Sequence, residues 1–165
     1  MVMQKLLKRK TIVYTAAVFI PLLIGITSAL LTRNNMQIYK ELNTPPLSPP
    51  SWLFPVVWSA LYVLMGISSG KVFLNKNKAP KDAADGLGYY VLSLAFNFAW
   101  SIIFFNFRRF PFAFFWLLAL LYLIVRTILS YKKVDKKSAY LQIPYAIWVS
   151  FAGYLNLGIW ILNRK

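Results

Sequence analysis

The chain contains no cysteine and no histidine, and only four of its 165 residues are acidic. Without cysteine there is no disulfide and no thiolate nucleophile. Without histidine no Ser–His–Asp or Cys–His constellation can be built. The acids are Glu41, Asp82, Asp85 and Asp135. All four fall in loops or at the ends of apolar stretches, so neither paired carboxylates for acid–base catalysis nor a His/Cys/carboxylate metal site is expected. Proton-coupled transporters carry ionisable groups at membrane depth. Here only Arg126 interrupts an apolar run, near its basic end and within snorkelling reach of the interface. Conventional hydrolysis and proton-coupled pumping are both disfavoured.

Long apolar stretches, by contrast, take up nearly the whole chain. Thr11–Thr32, Leu42–Gly70, Gly86–Phe107 and Ser138–Asn163 carry no charge, and Phe110–Tyr131 carries only Arg126. A hydrocarbon core about 30 Å thick needs about twenty apolar residues of helix to cross it. The sequence therefore predicts an all-α integral membrane protein, a single bundle of five transmembrane helices spanning about residues 11–31, 51–71, 86–107, 110–131 and 139–162. Apolar residues make up 59% of the chain and charged residues 14%, against about 25% charged in an ordinary soluble domain. The basic start followed by an apolar run resembles a signal peptide, but the run is too long and lacks a small-residue cleavage site. It is read as a retained first helix.

The net charge of +15 is explained by membrane topology, not nucleic acid. Twelve lysines and arginines lie before the first span, after the second and after the fourth, against six at the opposite ends. The positive-inside rule then predicts a cytoplasmic N-terminus and an exterior C-terminus in a bacterial plasma membrane.

One connection is unlike the others. Residues 32–50 contain Pro45, Pro46, Pro49 and Pro50, which cannot continue a helix and hold their neighbours extended. The segment reads either as a stiff lid over the mouth of the bundle or as a rigid connector. Residues 71–81, 131–137 and 106–110 read as plain turns.

Aromatic residues form 18% of the chain. Tyr14, Tyr39, Trp52, Tyr131, Tyr140 and Trp160 suit interfacial belts, but Trp58 and Trp148 lie too deep for a belt. Trp58, Tyr62 and Met65 share a helix face, as do Ser93, Asn97, Trp100 and Phe104, and Tyr145, Trp148, Ala152, Leu155 and Ile159. Such stripes are ordinary packing or the walls of a flat apolar cavity for a planar ligand. Asn97 and Asn156 are ligand contacts or interhelical hydrogen bonds. The small-residue pairs Gly66/Gly70 and Ala95/Ala99 suit close packing inside the bundle or a dimer seam.

Three segments are recognisable together. Pro49-Pro-Ser-Trp-Leu-Phe-Pro-Val-Val-Trp58 with Leu61-Tyr-Val-Leu-Met-Gly66, then Leu94-Ala-Phe-Asn-Phe-Ala-Trp-Ser101 with Phe104-Phe105, then Pro144-Tyr-Ala-Ile-Trp-Val-Ser-Phe-Ala152 with Leu155-Asn156 and Trp160-Ile-Leu-Asn163, resemble the second, third and fifth helices of the TspO/MBR (translocator protein, tryptophan-rich sensory protein) family. The resemblance implies a bundle that is usually a homodimer, with a pocket beneath the first loop. Its ligands would be protoporphyrin IX and other porphyrins, and synthetic benzodiazepine- or isoquinoline-type compounds. Some bacterial members degrade porphyrin in light, so a photochemical role for Trp58 and Trp148 is implied, with porphyrin as ligand or substrate and no cofactor required. Ligand contacts carried over are Tyr39, Pro49, Trp58, Tyr62, Asn97, Trp100, Trp148, Ala152 and Leu155. A porphyrin transporter and a ligand-responsive sensory or scaffold protein are the alternatives. The chain departs from the family in its first loop, where Ile38-Tyr39-Lys-Glu-Leu42-Asn-Thr44-Pro45 lacks two tryptophans and a lysine. It departs again after Leu155-Asn156, where Leu157 replaces the tyrosine of the proposed sterol motif.

Overall fold

Five helices carry the apolar stretches end to end in the computed structural model, which describes residues 2–164. They are α1 (Val2–Thr32), α3 (Leu53–Leu74), α4 (Pro80–Ser101), α5 (Phe110–Val134) and α6 (Lys136–Asn163), with a short α2 (Ile38–Glu41) in the first loop. Among the described residues there is no strand. A helix closes its own backbone hydrogen bonds, which is the condition for crossing hydrocarbon. Exposed hydroxyls obey the same condition: Thr27, Ser59 and Ser150 each donate to the carbonyl four residues back.

The helices run past the apolar stretches that announce them. Pro80 opens α4 six residues before Gly86, because proline has no N–H to leave unpaired in a first turn. The expected turn at 131–137 shrinks to Asp135 alone, which caps α6 by accepting from the Ser138 N–H at 2.7 Å. Tyr131 is accordingly fully buried within α5 and is not an interfacial residue. At the other end α4 passes into a π-helical segment, Ile102–Asn106, before the chain turns at Arg108 with φ 52°. The wider turn re-aims Phe104 and Phe105.

Around the bundle the order is α1, α3, α6, α5, α4, with α4 returning to α1. The seams α5–α6, α4–α5 and α1–α3 are extensive, whereas α1 leans only lightly on α4. Backbone meets backbone where Gly66 packs on α1: a Cβ there would lie 2.5 Å from the Ala17 carbonyl oxygen and the Val18 Cα. The Gly66/Gly70 pair therefore belongs to an internal seam. Two asparagines tie the far ends of α1 and α4. Asn35 Nδ2 donates to Asn106 Oδ1 at 2.9 Å, and Asn106 Nδ2 to the Leu31 carbonyl at 3.2 Å.

The lysine-rich end is fastened by Asp135, which receives Lys71 Nζ at 3.1 Å and the Ser138 hydroxyl at 2.7 Å. Burial alone raises its pKa, but the Ser138 hydroxyl and N–H and the Lys71 charge outweigh this and hold it below the ordinary value.

Gly66→Ala forces backbone against backbone, which no rotamer change relieves, and is expected to destabilise the bundle by about 1–3 kcal/mol. Thermal unfolding in detergent checks this. The depressed pKa of Asp135 sets a second expectation. Its stabilising contribution is fully present above the unfolded value of about 3.9 and is lost as pH falls through the lower folded value. The melting temperatures of the native chain and Asp135→Asn should thus differ near neutrality and converge only in strong acid.

Candidate functional site

A cavity of about 270 Å³ opens beneath the first loop, between α1, α3, α4 and α6. None of its lining residues is charged. The α3 wall is Phe54, Trp58 and Tyr62. The α4 wall is Asn97 and Trp100, continued by Phe104 and Phe105. The α6 wall is Ala152, Leu155, Asn156 and Ile159, and Tyr39 and Met36 close the loop side.

Helical spacing accounts for the three aromatic walls. Trp58 stacks on Tyr62, one turn away, with ring centres 5.6 Å apart, and meets Tyr145 of α6 edge-on at 6.1 Å. The polar groups among them are mostly committed to one another. Asn97 Nδ2 donates to the Tyr62 hydroxyl at 2.8 Å, Trp100 Nε1 to Asn156 Oδ1 at 3.2 Å, and Asn156 Nδ2 to the Phe110 carbonyl at 2.8 Å. Both asparagines thus line the cavity while hydrogen-bonding between helices, so the two readings of their role coexist. Tyr62, which accepts from Asn97, keeps its own proton to donate.

Of the sequence-nominated residues, Tyr39, Trp58, Tyr62, Asn97, Trp100, Ala152 and Leu155 come together around this cavity. Trp148 and Pro49 do not line it. The Trp148 ring lies behind Phe54, edge-on at 6.0 Å, and continues to Phe151 at 5.7 Å. It shares the helix face of Ala152 and Leu155, but its indole packs against Phe54, which lines the cavity, and does not itself reach the wall. Pro49 is half-buried in the strap away from the walls. The α1 wall was not foreseen. Gly25, Ser28, Ala29 and Thr32 line it, small residues at spacings of three and four that mark a close-packed helix face. A Cβ on Gly25 would collide with the Tyr62 ring.

The proline segment is a strap latched to α6. Asn163 Nδ2 donates to the Asn43 carbonyl at 2.8 Å, and the Asn43 N–H returns to Asn163 Oδ1 at 3.0 Å. The Tyr154 hydroxyl donates to the Pro46 carbonyl at 2.8 Å. Pro45 is buried against Gly158, where a Cβ would lie 2.5 Å from its ring. Tyr39 hangs from the strap into the cavity, edge-on to Phe54 at 5.4 Å. Burial raises its pKa, an effect that the neighbouring Ser48 hydroxyl reduces. Its hydroxyl has no hydrogen-bond partner among the described residues.

Five membrane-spanning helices around an uncharged, aromatic-walled cavity define a polytopic membrane protein with an apolar chamber in its bundle. Residues 17–161, which include every residue lining the cavity, match the TspO/MBR family. The chain is 38% identical over 127 residues to Protein CrtK of Rhodobacter capsulatus, covering 76% of this chain and 78% of that one. It is 38% identical over 126 residues to the tryptophan-rich protein TspO of Chlorobaculum tepidum, covering 76% and 78%. To the translocator protein of Bos taurus it is 34% identical over 146 residues, covering 88% and 86%. The chain belongs to the TspO/MBR family.

Gly158→Ala should unseat Pro45 and release the strap, at a cost of about 1–3 kcal/mol. Hydrogen exchange should rise in residues 38–48 while the α4–α5 seam stays protected.

Proposed function

We propose that the protein is a membrane receptor for flat hydrophobic ligands, porphyrins such as protoporphyrin IX above all, and that it promotes their breakdown in light. The observation that carries this reading is an uncharged chamber with aromatic walls on α3 and α4, mostly small residues on α1 and mostly aliphatic ones on α6. A planar conjugated ring gains from stacking on Trp58 and from edge contacts with Phe104 and Phe105. The free proton of Tyr62 and the unpartnered hydroxyl of Tyr39 offer polar contacts at two heights.

The cavity volume lies just under the about 300–1,000 Å³ of ordinary ligand sites. A macrocycle is therefore admitted with the strap lifted or with α1 displaced. Acidic side arms on the ring would point to the loop end, where Arg33, Lys40, Arg108 and Arg109 are exposed. In light the excited ring passes energy to dioxygen or accepts an electron from the Trp58 indole, and dioxygen is the terminal oxidant. No acid–base residue is needed. The wall position of Trp58 favours it over Trp148 as the partner of the ring. Twelve basic residues at one end support a cytoplasmic N-terminus for this receptor. A homodimer would bring together apolar outer faces such as Phe19, Leu23 and Leu30 of α1, which are exposed in the single chain.

A transporter is the second reading, favoured by the light α1–α4 seam, which gives the chamber a side exposed to lipid. Flux of labelled porphyrin into proteoliposomes, as against saturable binding without flux, distinguishes the two.

Titration with protoporphyrin in darkness should quench tryptophan fluorescence with one ligand per chain. Trp58→Ala should weaken binding about tenfold, equivalent to about 1.4 kcal/mol. Under illumination Trp58→Phe should remove most of the bleaching, whereas Trp148→Phe should retain it. Bleaching unaffected by Trp58→Phe would refute the photochemical part.

A further inference from the structure

Below the cavity the core of the bundle turns polar. At the lysine-rich end Lys71 meets Asp135 at 3.1 Å, and Asp135 receives the Ser138 hydroxyl at 2.7 Å. The Ser138 carbonyl accepts from Ser68 Oγ at 2.8 Å, and Ser68 Oγ accepts from Gln142 Nε2 at 3.2 Å. Beside it the Tyr131 hydroxyl donates to Ser69 Oγ at 2.9 Å. Towards the cavity floor Asn97 donates to the Tyr62 hydroxyl at 2.8 Å. Between these two connected ends the chain of hydrogen bonds breaks. Gln142 Oε1, the Tyr90 hydroxyl and the Tyr145 hydroxyl have no partner among the described residues. These three residues are 1%, 6% and 1% exposed.

The three orphans are chemically complementary. Two are hydroxyls with a proton to give and one is an amide oxygen with lone pairs to fill. They also lie close together: Tyr90 is beside Ser69, Tyr145 is near Tyr90 and beside Ser93, and Gln142, one turn before Tyr145 on α6, bonds Ser68, the residue before Ser69. A buried group left unpaired inside a membrane span costs free energy comparable to a lost hydrogen bond, with no bulk solvent to relieve it. A water molecule accepts two protons and donates two, which fits a site with two phenol donors, one amide acceptor and a spare serine lone pair.

We infer that ordered water bridges the Tyr90 and Tyr145 hydroxyls and Gln142 Oε1, and so joins the two tyrosines to the hydrogen bonds that Gln142 and Ser68 make towards Ser138. The chamber is dry above and wet beneath. Trp58, edge-on to Tyr145 at 6.1 Å, stands at the boundary.

The test needs no ligand, so failure of porphyrin binding leaves it unaffected. Millisecond X-ray radiolysis, which makes hydroxyl radicals from waters wherever they are bound, is expected to oxidise Tyr90 and Tyr145 in the unliganded protein. Radicals generated only in bulk solvent should spare them. Gln142→Leu should reduce the X-ray labelling of both tyrosines, because it removes the acceptor that holds the water. Stability supplies an independent sign. If the hydroxyls are hydrated, Tyr90→Phe and Tyr145→Phe each lower the melting temperature by a few degrees. If they are dry orphans, removing them leaves it unchanged or raises it. Absence of X-ray labelling at both tyrosines, or phenylalanine variants at least as stable as the native chain, overturns the proposal.

Discussion

Inside a bilayer a polar group has only the protein to bond to, and much of this molecule is arranged around that scarcity. Helices satisfy the backbone, exposed hydroxyls fold back onto carbonyls one turn earlier, and the asparagines of the core are spent between helices. What remains uncommitted is concentrated in two places, the Tyr39 and Tyr62 hydroxyls at the cavity and the tyrosine–glutamine gap below it. A chamber whose polar fittings are mostly paired already presents an apolar, aromatic surface. Such a surface suits recognition by shape and stacking more than by charge.

The five spans were legible because a membrane writes its thickness into the sequence as length of apolar run. The ends were less so. Helices extend through the basic flanks, where Pro80 and Asp135 supply start signals that hydropathy does not register. Tyr131 looked interfacial by its place beside Lys132 and Lys133, yet a one-residue turn draws it into the core.

The site was legible where periodicity puts side chains on one face. Three stripes on α3, α4 and α6 converge as spacing requires. Trp148 shows the limit of that reasoning, since a helical wheel gives direction but not what stands in the way. Phe54, on another helix, lines the cavity beside it, and Trp148 packs against Phe54 without lining it. Small residues on α1 form the fourth wall, and only close packing against Tyr62 reveals why they are small. The polar region of the core was hidden for a related reason. Gln142 lies far from Ser68 and Ser69 in sequence, and the three acquire meaning only when α3 and α6 are side by side.

Because α1 is riveted to α3 at Gly66 and merely rests against α4, the two edges of the chamber differ in stiffness. For the ligand proposed above, a guest already dissolved among acyl chains would meet the more lightly packed edge first. Its rate of arrival would then scale with its mole fraction in the lipid and not with its concentration in water. Membrane composition would set that rate, and occupancy would track the greasiness of the guest even before any indole is touched.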